Sequence, residues 1–116
     1  MFVPVAHPPL AVTPPPPARA LAFANEYRFD FSRKVFPAGR VRLQLKNIGE
    51  DDHDLRVLGP RGGLRGETGR VRPGKLAEIR FRLPKGRYSF LCTVGDHAAR
   101  GMKGTFTVLA PKKKPN

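Results

Sequence analysis

The feature that most constrains this chain is a two-residue alternation of apolar and polar side chains in short segments. It is clearest in segments 41–46 and 79–83, where every second residue is aliphatic or aromatic and the residues between are charged or carry an amide. The same spacing recurs at Leu21 and Phe23, Tyr27 to Phe31, His53 to Val57, Tyr88 to Cys92 and Phe106 to Val108. Because successive side chains of a strand point to opposite faces, this pattern predicts strands with one buried face and one wet face.

Turn sequences separate these segments, among them Pro37-Ala38-Gly39, Asn47-Ile48-Gly49, Pro73-Gly74 and Pro84-Lys85-Gly86. Proline and glycine at these places favour tight turns. Short strands at such intervals predict an all-β fold, either a sandwich or a barrel. Residues 59–69 contain five glycines, and we expect them to form a long irregular loop.

Composition divides the 116 residues into one domain and two flanking segments. Residues 1–19 hold seven of the 13 prolines, which favours an extended, disordered arm or linker without the pattern of a secretory signal. We expect the domain to span residues 20–110 and a basic tail to follow at 111–116. The chain has no run of eighteen apolar residues, so we expect no membrane span.

The chain is strongly basic, with 22 lysines and arginines against nine acidic residues and a net charge of +13. Such a charge is compatible with nucleic acid, anionic lipid or an acidic protein as a partner. Several arginines, however, fall on the outward side of predicted strands: Arg28, Arg42, Arg56, Arg80 and Arg82. A solvated strand face therefore explains much of the excess charge.

Metal-ligating residues are few and regularly spaced. One cysteine excludes an intramolecular disulfide and a zinc site built on several cysteines. Cys92, His97 and Met102 follow one another at five-residue intervals, a spacing that brings them together on neither a helix nor a strand. A folded loop can do so, and Gly95 and Gly101 supply the backbone freedom it needs.

A thiolate, an imidazole and a thioether form a soft ligand set that suits copper. The blue-copper arrangement has two histidines and one cysteine in a trigonal set with a weak axial methionine. His53 is the internal candidate for the second histidine, although it lies 39 residues before Cys92 in the chain. The fold would have to bring these residues together at one end of a sandwich.

Residues 21–110 resemble the cupredoxins, the family of plastocyanin and azurin, in segments 47–55 and 92–104 and in the spacing C-x4-H-x4-M. The resemblance implies a Greek-key β-sandwich or barrel and one type 1 copper ion. It implies that His53, Cys92 and His97 are the equatorial ligands and that Met102 is the axial ligand. It also implies that Asp54, Thr93 and Asn47 support these ligands from behind.

The function implied by the resemblance is single-electron transport by cycling between Cu(I) and Cu(II). With all ligands supplied by the protein, no position remains for a substrate, so we expect no enzyme activity. His97, with Ala98 and Ala99, is expected to dock a redox protein such as a cytochrome, an oxidase or a reductase. The family implies a monomer in the periplasm or outside the cell, with no nucleic acid partner.

Two other functions stay open. The same ligands could belong to a copper carrier or storage domain that exchanges electrons slowly. Alternatively, the chain could be a basic polyanion-binding β-domain, although its interspersed arginines and its lack of an aromatic stacking face disfavour this.

Five acidic residues flank the two histidines, and they predict a dipolar molecule whose metal end is its least positive part: Glu50, Asp51, Asp52, Asp54 and Asp96.

Overall fold

The structure is a computed structural model that describes residues 15–111. Its strands are β1 Ala18–Asn25, β2 Arg28–Phe31, β3 Val35–Pro37, β4 Gly39–Asn47, β5 Arg56–Leu58, β6 Leu64–Glu67, β7 Leu76–Leu83, β8 Gly86–Leu91 and β9 Lys103–Leu109. Within this range no helix is long and apolar enough to cross a membrane.

Two mixed sheets form a sandwich. One sheet has the strand order β2-β1-β4-β7 and the other has the order β3-β9-β8-β5-β6. The pairs β1–β4 and β3–β9 are parallel, and the remaining neighbours are antiparallel. The apolar core lies between the sheets. The all-β prediction is therefore confirmed.

The alternation predicts the buried faces of the central strands correctly. Val41, Leu43 and Leu45 of β4 are at most 2% exposed, and each contributes roughly 1.5–3 kcal/mol by leaving water. On the opposite sheet, Tyr88 is fully buried and stacks on Phe106 with 5.3 Å between ring centroids. The Tyr88 hydroxyl donates to the carbonyl of Pro84, so its buried oxygen keeps a partner.

Strand β1 faces the other way from the prediction. Its three alanines at 20, 22 and 24 are buried, whereas Leu21 is half-buried and Phe23 is exposed on the outer face. The register explains this reversal, because Phe31 of β2 lies opposite Ala22 and Phe29 lies opposite Ala24. The two rings fill the core space that the small alanine side chains leave, and both contact the ring of Phe90.

The glycine-rich segment 59–69 is not the irregular loop that its composition predicts, because it contains strand β6. Gly66 explains how a strand fits there. A Cβ at this position would lie 2.7 Å from Cγ2 of Ile79, so only glycine lets β6 pass this close to β7. The short strand β3 carries no alternation to mark it and is also absent from the sequence prediction.

Strand β1 begins two residues before the expected start of the domain at residue 20. Ala18 and Arg19 already belong to β1, and residues 15–17 precede it without regular structure. Residues 1–14 of the predicted arm and 112–116 of the predicted tail lie outside the described residues.

Three chain segments meet at one end of the sandwich. Strand β4 ends at Asn47, whose backbone amide donates to the carbonyl of Lys75. The segment after β4 leads to His53, which forms an isolated bridge with Val71. Strand β8 ends at Leu91 and is followed at once by Cys92. This end of the sandwich, from here on the metal end, holds the candidate site.

Candidate metal centre

The segment from Cys92 to Met102 forms a compact series of turns. The amide of His97 donates to the carbonyl of Val94, and the amide of Met102 donates to the carbonyl of His97. Gly95 and Gly101 have φ angles of +49° and +107°, which side chains with a Cβ disfavour. The folded loop predicted from the five-residue spacing is therefore what the structure contains.

The segment that carries His53 is fastened on both sides. His53 exchanges two backbone hydrogen bonds with Val71, at 3.1 and 2.7 Å. The buried side chain of Asn47 donates to the carbonyls of Asp51 and Val71, each at 2.8 Å, and accepts the amide of Gly49 at 2.9 Å. Asn47 thus uses its whole amide group to fix the loop between β4 and His53.

The fold brings three donor atoms together. Sγ of Cys92 lies 3.9 Å from Nδ1 of His53 and 3.6 Å from Nδ1 of His97, and all three donors lie within 4.8 Å of one another. Two ligands about 2.0 and 2.3 Å from one ion, in a trigonal arrangement, lie about 3.7 Å apart. The observed separations therefore match those of ligands to a single ion.

Met102 lies beside these donors through its backbone. Its carbonyl accepts the amide of Cys92 at 3.1 Å, and its amide donates to His97 at 3.0 Å. The Met102 side chain is completely buried, as are Cys92 and His53. The Met102 thioether is thus a soft donor in a dry environment, of the kind that suits copper.

Glu26 is a site residue that the sequence analysis does not identify. Its Oε1 lies 3.3 Å from Nε2 of His53 and accepts the amides of Glu50 and Asp51 at 2.7 and 2.8 Å. Since Nδ1 of His53 faces the sulfur, the Nε2–H donates to this carboxylate and leaves Nδ1 free to bind a metal. No local pattern marks Glu26, because it lies in the β1–β2 turn, 27 residues before His53.

His97 has its own acidic neighbour. Its Nε2 lies 3.3 Å from Oδ2 of Asp51, and the edge of its ring meets Tyr27 at a centroid distance of 5.4 Å. Tyr27 has a φ of 65°, a left-handed conformation that costs a residue with a Cβ about 1–2 kcal/mol. The guanidinium carbon of Arg100 lies over the Tyr27 ring, 4.8 Å from the ring centroid.

Asp54 and Thr93 join the two ligand segments. The amide of Thr93 donates to Oδ1 of Asp54 at 2.5 Å, and the Thr93 hydroxyl donates to Oδ2. Asp54 follows His53, and Thr93 follows Cys92, so this pair connects the two ligand segments next to the donor residues. The carboxylate of Asp54 uses both of its oxygens in doing so.

Burial and hydrogen bonding shift two pKa values at the site in opposite directions. Desolvation raises the pKa of the Cys92 thiol, so the sulfur becomes a thiolate most readily when a cation is bound to it. The pKa of Glu26 is lowered, chiefly by the hydrogen bond from the Asp51 amide, against the opposing effect of desolvation. Glu26 is therefore an anion at neutral pH.

The other acidic residues near the site have separate partners or none. Asp96 accepts a hydrogen bond from Arg100 at 2.8 Å, and Asp54 is engaged by Thr93. Of the five acidic residues that flank the histidines in sequence, only Asp51 contacts a histidine ring in the described structure. Ala98 is half-buried and Ala99 is exposed, next to His97 in the chain.

The donor set fits one type 1 copper ion. Two imidazole nitrogens and one thiolate, buried and at the spacing of ligands to one ion, are the trigonal set of such a site. The outer nitrogen of His53 is hydrogen-bonded to Glu26, which holds that ring in position, and the outer nitrogen of His97 lies 3.3 Å from a carboxylate oxygen of Asp51. None of the buried polar side-chain atoms in residues 15–111 lacks a partner, so the site is prepared for an ion without orphaned groups.

No protein-family model and no curated protein sequence matches the chain. Several solved structures, however, are similar to this chain. An auracyanin from Roseiflexus castenholzii is 24% identical with a TM-score of 0.68, over 79% of this chain and 97% of that chain. Auracyanin A, a "blue" copper protein from Chloroflexus aurantiacus, is 20% identical with a TM-score of 0.67, over 81% and 100%. Rusticyanin from Thiobacillus ferrooxidans is 19% identical with a TM-score of 0.65, over 78% and 76%.

At these identities the likeness concerns the fold. The cupredoxin resemblance read from the sequence is confirmed at this level: the chain has the fold of the auracyanins and rusticyanins, the cupredoxin fold.

Proposed function

We propose that this protein is a type 1 blue copper protein that carries single electrons between redox partners. The observation that carries the proposal is the buried trio of His53, Cys92 and His97, whose donor atoms lie within 4.8 Å of one another. Met102 is the fourth, weak ligand in this proposal. Its buried side chain and its backbone hydrogen bonds to Cys92 and His97 support that assignment.

When bound, copper supplies a one-electron couple between Cu(I) and Cu(II). The protein supplies a rigid and dry set of donors. Glu26 holds His53 by a hydrogen bond, and the carboxylate of Asp51 lies 3.3 Å from the ring nitrogen of His97. Asp54, which follows His53, is hydrogen-bonded to Thr93, which follows Cys92. Donors that are held in place by hydrogen bonds need little rearrangement when the charge at the site changes, and this favours rapid electron exchange.

His97 is the proposed point of electron entry and exit. Its side chain is 8% exposed, whereas that of His53 is completely buried. Ala98 and Ala99 follow it and present small side chains, so a partner could approach the His97 ring closely. In this proposal His97, Ala98 and Ala99 form the docking surface for a redox protein such as a cytochrome, an oxidase or a reductase.

The proposal includes no enzyme activity. The three donors with the spacing of metal ligands are all protein side chains and all buried, which disfavours a substrate binding directly to the ion. The protein would act as a monomer in the periplasm or outside the cell, as the cupredoxin resemblance implies.

The test is a titration of the purified apoprotein with Cu(II), followed by visible absorption. We expect an intense thiolate-to-copper band that saturates at one equivalent. Cys92→Ser should abolish this band, whereas His7→Ala, outside the described residues, should leave it unchanged as the matched control. No band in the folded wild-type protein would overturn the proposal.

A second measurement separates an electron carrier from a copper carrier or storage domain. Voltammetry of the copper-loaded protein should give a reversible one-electron wave. After reduction to the Cu(I) form, the loaded protein should also be oxidised rapidly by a small inorganic oxidant. Stable copper binding without reversible electron exchange would contradict the electron-transfer function and favour copper carriage or storage.

A further inference from the structure

Five arginines form an ordered group on the outer face of the β2-β1-β4-β7 sheet. Arg19 of β1 lies opposite Arg42 of β4, and Arg42 lies opposite Arg80 of β7. In the next row outward along the strands, Arg40 lies opposite Arg82. We call these five residues the arginine face. Like charges placed directly opposite each other destabilise a sheet, so this arrangement differs from an ordinary surface of mixed charges.

The arginine face is only partly neutralised. Glu78 contacts Arg42 and Arg80. Arg19, Arg40 and Arg82 have no carboxylate partner among residues 15–111. Four net positive charges therefore remain on a small area of one sheet.

The face lies away from the metal end. Arg42 and Arg40 precede Asn47, where β4 reaches the metal end, by five and seven residues. At about 3.3 Å per residue, this is a distance of roughly 17–23 Å along the strand. Glu26 and Asp51, by contrast, lie at the metal end. The charge distribution thus has a direction, with the arginine face set back along the strands from the candidate site.

The shape of the face suits a layer of small anionic groups. The arginines line a shallow groove of about 470 Å³ together with Pro17, Val41 and Phe81. Val41 is buried and Phe81 is half-buried, so the groove presents no exposed aromatic side chain to anchor a protein partner. Planar guanidinium groups bind phosphate oxygens through paired hydrogen bonds.

Both ends of the described chain lie beside the arginine face. The carbonyl of Pro15 accepts a hydrogen bond from Arg40 at 2.5 Å. Pro111 lines a cavity with Gly39 and Arg82, and the sequence continues from it with three lysines. The basic side of the domain is therefore also the side from which the chain leaves it.

We propose that the arginine face binds the phosphate head groups of an anionic membrane surface. Bound in this way, the domain lies against the lipid with its β1-β4-β7 face, and the metal end, at the end of the same strands, stays open to the side. The binding requires no metal. Only the consequence that a redox partner still reaches His97 rests on the proposed function.

The test compares binding to vesicles of pure phosphatidylcholine with binding to vesicles containing about one-third phosphatidylglycerol. We expect binding to the second kind alone, weakened by added salt. Arg19→Gln, Arg40→Gln and Arg82→Gln together leave the Arg42–Glu78–Arg80 contacts intact. At about fivefold for each charge, this triple variant should bind about a hundredfold more weakly.

The matched control removes the same charge elsewhere, with Arg70→Gln, Arg72→Gln and Lys103→Gln. These three residues are exposed, and we expect their loss to weaken binding less than tenfold. Equal losses in the two triple variants would overturn the proposal, because net charge alone would then explain the binding. Glu78→Gln adds a net positive charge to the face and should strengthen binding about fivefold.

Two further outcomes complete the test. Cys92→Ser should bind vesicles as the wild type does, which separates this proposal from the proposed copper function. A duplex oligonucleotide added in competition should not displace the protein from anionic vesicles at equal phosphate concentration. If the duplex displaces it and the arginine-face triple variant loses duplex binding, nucleic acid is the ligand and the membrane proposal is wrong.

Discussion

The Oε1 atom of Glu26 lies 3.3 Å from Nε2 of His53 and also accepts the amides of Glu50 and Asp51. One oxygen from the β1–β2 turn thereby holds both the proposed ligand and the loop that precedes it. The ring of His53 is completely buried, so this carboxylate serves its Nε2 in place of water. Glu26 is a positioning residue for the site, and its removal has consequences that can be measured.

Glu26→Ala should lower the affinity for Cu(II) about 10- to 100-fold, because His53 loses the acceptor that fixes its ring. Glu26→Gln should lose less, since its amide oxygen still accepts the two backbone amides. Competition with a chelator of known affinity measures both effects. Glu67→Ala is the control, because Glu67 pairs with Arg56 on the surface of β6. A copper affinity unchanged in Glu26→Ala would show that the contact does not position the ligand.

Gly49→Ala should act on the metal site through Glu26. A Cβ at residue 49 would lie 2.5 Å from Oε1 of Glu26, and the flexible carboxylate is the group that moves. We expect the copper affinity to fall to about that of Glu26→Ala. Combining the two substitutions should lower it little further. Gly63→Ala, which meets no atom within 4 Å, serves as the control. Additive losses in the double variant would contradict this explanation.

Asp51→Asn should raise the reduction potential of the copper-loaded protein. The carboxylate of Asp51 lies 3.3 Å from Nε2 of His97, and a negative charge at this place favours the more positive Cu(II) state. Asp52→Asn should raise the potential less, because Asp52 makes no side-chain contact with a histidine in the described structure. Voltammetry measures the shifts, and Glu67→Gln controls for net charge. An unchanged or lowered potential in Asp51→Asn counts against the idea.

Glu78 should make stability depend on pH in the acidic range. Its hydrogen bonds with Arg80, and next with Arg42, lower its pKa. A lowered folded-state pKa gives stability that is present above the unfolded value, about 4.3 for glutamate, and that is lost as the pH falls through the folded value. Glu78→Gln should therefore be less stable than the wild type near neutral pH, and the difference should shrink on acidification. Urea unfolding at several pH values measures it. A constant difference would argue against the ion pairs as its source.

Alternation alone predicts the strands whose inward side chains are large. Val41, Leu43 and Leu45 are buried as expected, and the side chains opposite them in β7 face the core with them: Phe81, Ile79 and Ala77. In β1 the same reasoning fails, since Phe29 and Phe31 occupy the core space in front of the alanines. The face that a strand buries thus depends on the size of the side chains in neighbouring strands. The sequence of one strand does not contain that information.

For the candidate site, too, the sequence predicts some residues and misses others. The spacing of Cys92, His97 and Met102 requires a folded loop, and the chemistry of copper requires a second histidine, so the sequence alone brings the donor residues into view. Glu26 is different, because its contact with His53 depends on the pairing of β1 with β4, the strands that precede the two residues. A glutamate in a turn carries no sign of its partner. Sequence patterns therefore predict the donors better than the groups that hold them.

The most direct test of the account is the position of copper in crystals of the copper-loaded protein, found from anomalous diffraction at the copper absorption edge. The account predicts one strong peak in the space enclosed by Nδ1 of His53, Sγ of Cys92 and Nδ1 of His97. Its absence from that space, with copper bound elsewhere in the folded protein, would contradict the central claim.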